Sequence, residues 1–212
     1  MGDQVVDQIR AAIMNGSYPA GHRLRIRELA SQLGTSVMPV REAIGRLEEL
    51  GLVETQPNRG ATVKAFTRTD LLHVYAVRRV LEVEAACLGA AHIDAAGLAD
   101  LQDAFTALEQ ALSDGDTVGY LDADEHFLTI LYGAAGNPVL SEMLHLLWQR
   151  CRSYKIIGAD SEAATGELER LLTFQRGLLE AADEHDVEQA GQLTAASIDA
   201  ATERIRQLLP ES

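Results

Sequence analysis
A chain of 212 residues with 47% hydrophobic content is long enough for two small domains and too apolar for default disorder. No run approaches the roughly 18 uncharged apolar residues of a spanning helix. Cys87 and Cys151 show no CxxC or Cys/His spacing, and "MGDQVVDQIR" lacks the regions of a signal peptide, so a cytoplasmic protein outside the membrane is expected.

The net charge of −14 is unevenly spread: residues 1–68 hold nine Lys/Arg against seven Asp/Glu, and the remainder nine against twenty-five. A nucleic-acid surface, if the chain has one, belongs in the first third.

In chain order, Val5, Val6, Ile9, Ala12 and Ile13 recur at helical spacing until the turn formers of "NGSYPAG". Ile26, Leu29, Ala30 and Leu33 predict a second helix ended by Gly34. A third follows. With Thr35 or Ser36 as N-cap, Pro39 sits in the first turn, where its missing N–H has no intrahelical acceptor to lose. Val40, Ala43, Ile44 and Leu47 make its apolar face, Arg41, Glu42, Arg46 and Glu49 face outward, and Gly51 ends it. Two β-favouring runs, 52–55 and 61–65, joined by "QPNRG", predict a hairpin.

Helix, helix, turn, helix, hairpin is the order of a winged helix-turn-helix. Beyond it, helical segments at roughly 69–93, 97–113, 116–134, 138–157, 163–184 and 186–208 predict an all-α antiparallel six-helix bundle. The expected fold is therefore mainly α, with domains at 1–66 and 67–212.

A helix reads DNA when its N-terminal end fits the major groove and other groups grip phosphates. Ser36 can bond a phosphate or base edge, Arg41 and Arg46 are cationic arms, and Val37 and Met38 suit a thymine methyl. Asn58, Arg59 and Gly60 make a small basic tip able to follow a backbone or enter a minor groove. Either arginine alone would read as an ordinary surface residue; the ordered set points to DNA.

"GHRLRIRELASQLGTSVMPVREAIGRLEELGLVETQPNRGATV" closely resembles the DNA-binding domain of the GntR family of bacterial transcription regulators, a match covering about residues 5–65. The resemblance implies DNA contacts at Arg27, Ser36, Val37, Met38, Arg41 and the Arg59–Gly60 tip. Many members carry arginine where this chain has Val37, so a different base preference is expected there.

"DLLHVYAVRRVLEVEAACLGAAH" and "YLDADEHFLTILYGAAGNPVL" resemble, more loosely, the ligand-binding FCD domain of the FadR-like branch, over about residues 69–207. Many such domains hold a metal through an Asp-x3-His pair and two later histidines. Asp122 and His126 stand one helical turn apart, as two ligands of one ion would. Alignment to the family puts Gln175 and Ser197 at the later positions, a poor set for Zn²⁺ or Ni²⁺, so a divalent metal is disfavoured. Metal ligation, a buried hydrogen-bonded pair and an effector contact all stay open for Asp122 and His126.

Without a metal, Asp122, His126, Gln175 and Ser197 would line a hydrogen-bonding cavity. Arg78, Arg150 or Arg152 could clamp a small organic or sugar acid, or could serve as ordinary ion pairs. His185, in "DEHD", reads as a solvated loop residue, and Trp148 as core or rim.

The expected function is a ligand-responsive regulator, a repressor, binding a pseudo-palindromic operator as a homodimer. A metal-dependent enzyme is the alternative from another class, but the Glu-x-x-His motif of di-metal bundles, the nucleophile elbow, the phosphate loop and HExxH are all missing from the sequence. A nucleoid-type binder would leave the acidic second domain without a purpose.

Overall fold
A computed structural model describes residues 2–56, 60–165 and 168–209, without the side chains of residues 2, 56, 160–165 and 168–171. Among these residues the first elements are α1 (Gly2–Met14), β1 (Arg23–Leu24), α2 (Ile26–Gln32), α3 (Val37–Glu49), β2 (Val53–Gln56) and β3 (Gly60–Val63). Six helices follow: α4 (Arg68–His92), α5 (Ala95–Ser113), α6 (Thr117–Gly133), α7 (Pro138–Thr165), α8 (Leu168–Asp183) and α9 (Val187–Leu208).

The chain forms two compact units, one of Met1–Phe66 with Trp148–Tyr154, the other of Thr67–Leu147 with Lys155–Ser212. Sequence reading put all of 67–212 in one domain, whereas this middle stretch of α7 groups with the first unit. Trp148 and Cys151 are buried there.

In the first unit α1 and α2 both pack on α3. Val5, Ile9, Ile13, Leu29, Val40, Ile44 and Leu47 fill the core with Leu24, Leu52, Ala61 and Val63 from the sheet. That stripe of α3 was expected, and its burial fixes which face of the helix remains outside. The sheet order is β1-β3-β2, antiparallel, with Val53 opposite Val63 and Leu24 opposite Ala61. β1 was not foreseen: two residues carry no readable alternation, and the buried Leu24 together with backbone pairing, including the Val63 amide donating to the His22 carbonyl at 2.8 Å, holds it to β3.

The second unit is helical throughout its described residues, with α4 packed on α9 and α6, α5 on α6 and α8, and α8 on α9. Its helices begin on side-chain caps. Thr67 and Asp70 form a reciprocal capping box at α4, and Asp94, Asp116 and Asp186 accept from the amides of Gly97, Gly119 and Gln189. Asp94 therefore starts α5 two residues before the expected Gly97. α7 runs through Gly158 instead of stopping at it, because one glycine weakens a helix by only about 1 kcal/mol.

Candidate DNA surface and buried polar site
Ser36 is the N-cap of α3 by backbone conformation, its φ of −85° and ψ of 167° being extended, and its exposed hydroxyl makes no cap bond. Val37 is 37% and Met38 63% exposed, and Arg41 is exposed with no ion pair among the described residues. Arg27, on α2, is exposed too. Ser36, Val37, Met38 and Arg41 share the start of α3, where backbone N–H groups and the helix dipole favour an anion.

Arg46 departs from that group. It pairs with Asp3 of α1, which holds the Asp3 carboxyl below its usual range and raises the guanidinium. Five residues beyond Arg41, it lies about 140° around the helix and roughly 7.5 Å further along, toward α1.

Gly60 opens β3, exposed, with φ of +85°, a left-handed conformation that glycine adopts without strain. Asn58 and Arg59 lie outside the described residues. Glu48, which sequence reading passed over, ties α3 to the hairpin: its Oε1 accepts from the Thr55 hydroxyl at 2.6 Å and the Thr55 amide at 2.8 Å. Those bonds, the hydroxyl's first, hold its carboxyl below the usual value.

In the second unit Asp122 and His126 lie on the outer face of α6, which does not fit a buried hydrogen-bonded pair. Asp122 and His126 are both exposed, while Tyr120, Leu121, Asp124, Phe127, Leu128, Leu131 and Tyr132 form the buried side of α6. Asp124 is two residues, about 200°, away from Asp122 and so points to the opposite side. Its Oδ1 accepts from Gln175 Nε2 at 2.7 Å and its Oδ2 from Lys155 Nζ at 3.4 Å, with Lys155 also 3.8 Å from Glu125. Gln175 is buried, and Ser197 is half-buried beside the buried Thr194 and Ile198.

Asp122 and His126 thus do not converge with Gln175 on one ion. Among the described residues no three His, Cys, Asp or Glu gather in a metal-holding group.

Arg78 is buried, but its Nε donates to Glu82 Oε1 at 2.6 Å, and the Tyr75 ring lies 4.5 Å from its guanidinium carbon. Tyr132 donates its hydroxyl to Glu82 Oε2 at 3.3 Å. Burial, then the Glu82 charge, pushes that phenol well above its ordinary range, against the pull of a hydrogen bond with Thr194. Tyr132 is therefore a neutral donor at any physiological pH.

Arg150 and Arg152 serve the first unit, where Arg152 Nε donates to the Met14 carbonyl at 2.9 Å and Arg150 Nε to that of Leu50 at 3.4 Å. His185 is more than a solvated loop residue: its Nδ1 donates to the Ala90 carbonyl at 2.7 Å.

An exposed recognition-helix start beside a small antiparallel sheet, followed by a helical bundle with a polar interior, defines a two-part regulator that joins DNA to a small molecule. Residues 1–63 match the description "Bacterial regulatory proteins, gntR family" and residues 73–200 match "FCD domain". The chain belongs to the GntR family of bacterial transcription regulators, with an FCD domain, and is not an enzyme.

Among relatives, the HTH-type transcriptional regulator McbR of Escherichia coli (strain K12) is 31% identical over 147 residues, 69% of this chain and 66% of that protein. A Paenarthrobacter nicotinovorans protein named "Probable D-xylose utilization operon transcriptional repressor" is 33% identical over 140 residues, 66% of this chain and 62% of its own length. These matches span just under two thirds of each relative. The solved E. coli McbR/YncC structure superposes with a TM-score of 0.86 at 26% identity, covering 98% of this chain and 97% of that one. A GntR transcriptional regulator from Rhodococcus sp. RHA1 gives 0.85 at 27% identity, covering 99% of both.

Proposed function
We propose that this chain is a cytoplasmic, homodimeric repressor that sets the start of α3 into the major groove of a pseudo-palindromic operator, and that a small polar metabolite bound in the second unit controls its DNA affinity. The observation that carries this reading is the joint exposure of Ser36, Val37, Met38 and Arg41 at the start of a helix whose other face is anchored by Val40, Ala43, Ile44 and Leu47. An exposed valine and methionine beside an arginine with no ion pair among the described residues suit a groove that offers thymine methyls, base edges and phosphates together.

One recognition helix reads few base pairs, and twofold pairing doubles the contact. Exposed Val77 and Val80 on α4, and Val139 and Met143 on α7, lie at helical same-face spacing and support a surface that pairs two copies. The name of the P. nicotinovorans relative favours repression. No helix of the described residues is long and apolar enough to cross a membrane, which agrees with a regulator working where DNA is.

The effector binds without a metal in this reading, because Asp122 and His126 face away from Gln175. The acid clamp expected of Arg78, Arg150 and Arg152 loses support as well, since each already donates to a group of this chain. Footprinting of the purified chain on genomic fragments, against random duplex and across a salt series, tests the proposal. Two protected half-sites about one helical turn apart are expected; equal affinity for random duplex at every salt concentration would sink it.

A further inference from the structure
We infer, on the reading of the second unit as effector-binding, that its ligand is a neutral polyhydroxylated small molecule, a sugar or polyol, with a hydroxyl that donates to Gln175 Oε1. Gln175 is 7% exposed. Its Nε2 donates to Asp124 Oδ1 at 2.7 Å, and a carboxylate can only accept, so the amide cannot turn the other way. That bond leaves Oε1 as a buried acceptor with no hydrogen-bond partner among the described residues. Burying an acceptor without a donor is unfavourable, and a ligand hydroxyl supplies the missing proton.

The ion pairs already formed around this site disfavour an acid. Asp124 faces Lys155, which also lies 3.8 Å from Glu125, and Glu82 faces Arg78. Each of these carboxylates already has a cation opposite. A carboxylate ligand at Lys155 would add a third anion beside Asp124 and Glu125, and one at Arg78 a second beside the buried Glu82. A neutral hydroxyl adds no such charge.

Several hydroxyls fit better than one. Asp124 on α6, Lys155 on α7 and Gln175 on α8 meet directly, while Tyr132, further along α6, donates to Glu82 of α4. Each hydroxyl of a polyol both donates and accepts, which suits such a mixed set.

The test is a thermal-shift and calorimetric panel on the full chain at fixed ionic strength. Neutral pentoses, hexoses and their reduced polyols run beside the corresponding aldonic and uronic acids. A neutral member should raise Tm with concentration while its acid does not, and Gln175→Leu should weaken that binding at least tenfold. The parent comparison stands by itself if that variant fails to fold.

Stabilisation by the acids alone, or by nothing in the panel, overturns the neutral-ligand inference. A cell metabolite extract that still changes DNA affinity in that case leaves the effector reading standing; one that does not takes both down.

Discussion
Arg41 and Arg46 look alike in the sequence and differ in the fold, since only Arg46 has a carboxylate opposite it. Arg41→Ala is expected to lower specific DNA affinity about ten- to hundredfold, the worth of one bidentate base contact of about 1–3 kcal/mol, measured by gel shift at fixed salt. Arg46→Ala should cost less and equally on all sequences. Asp122 and Asp124 make a similar contrast. Asp124→Ala would leave the buried Gln175 amide without its acceptor and loosen Lys155, which keeps Glu125 at 3.8 Å, destabilising the chain by about 3 kcal/mol, whereas Asp122→Ala, at an exposed position, should cost less. Chemical denaturation of both variants checks this. Leu121, Phe127 and Leu128 already placed Asp124 on the apolar side of α6 in the sequence, but the Asp-x3-His spacing drew attention to the opposite face.

At the level of elements, the bonds from Thr55 to Glu48 hold the hairpin to the recognition helix. The Glu48 carboxyl is depressed from its ordinary value of 4.5, so its contribution is complete above that pH and fades as pH falls through the lower folded value. Glu48→Ala should therefore melt below the parent at neutral pH, with the gap narrowing under acid. Thermal melts across pH 3–7 follow it. Between α4 and α6, a Cβ on Gly89 would lie 2.1 Å from the Leu131 carbonyl oxygen, so the helices approach only because the residue is glycine. Gly89→Ala must push them apart, at about 1–3 kcal/mol or several degrees of Tm in a differential scan. Helix existence was legible from periodicity and caps. The closeness of α4 to α6 was not, since no local pattern states how near two helices pass.

For the whole molecule, the proposed pairing of two copies would use the exposed Val77 and Val80 of α4. Val77→Glu with Val80→Glu should shift the chain toward monomer in analytical ultracentrifugation and weaken operator binding with it, leaving helicity unchanged. A variant that stays dimeric would move the interface away from α4.

The sequence by itself determined the winged helix-turn-helix, the six helices after it and the outward face of α3, because these follow from periods, caps and turn formers acting over a few residues. Tertiary structure alone decided that Asp124 and not Asp122 meets Gln175, that Arg46 turns to Asp3, that Arg78 is held by Glu82 and that Arg150 and Arg152 serve the first unit. Each of those outcomes depends on which partner a side chain meets once helices distant in sequence have packed, and packing settles it through burial and charge pairing that no short window of residues contains.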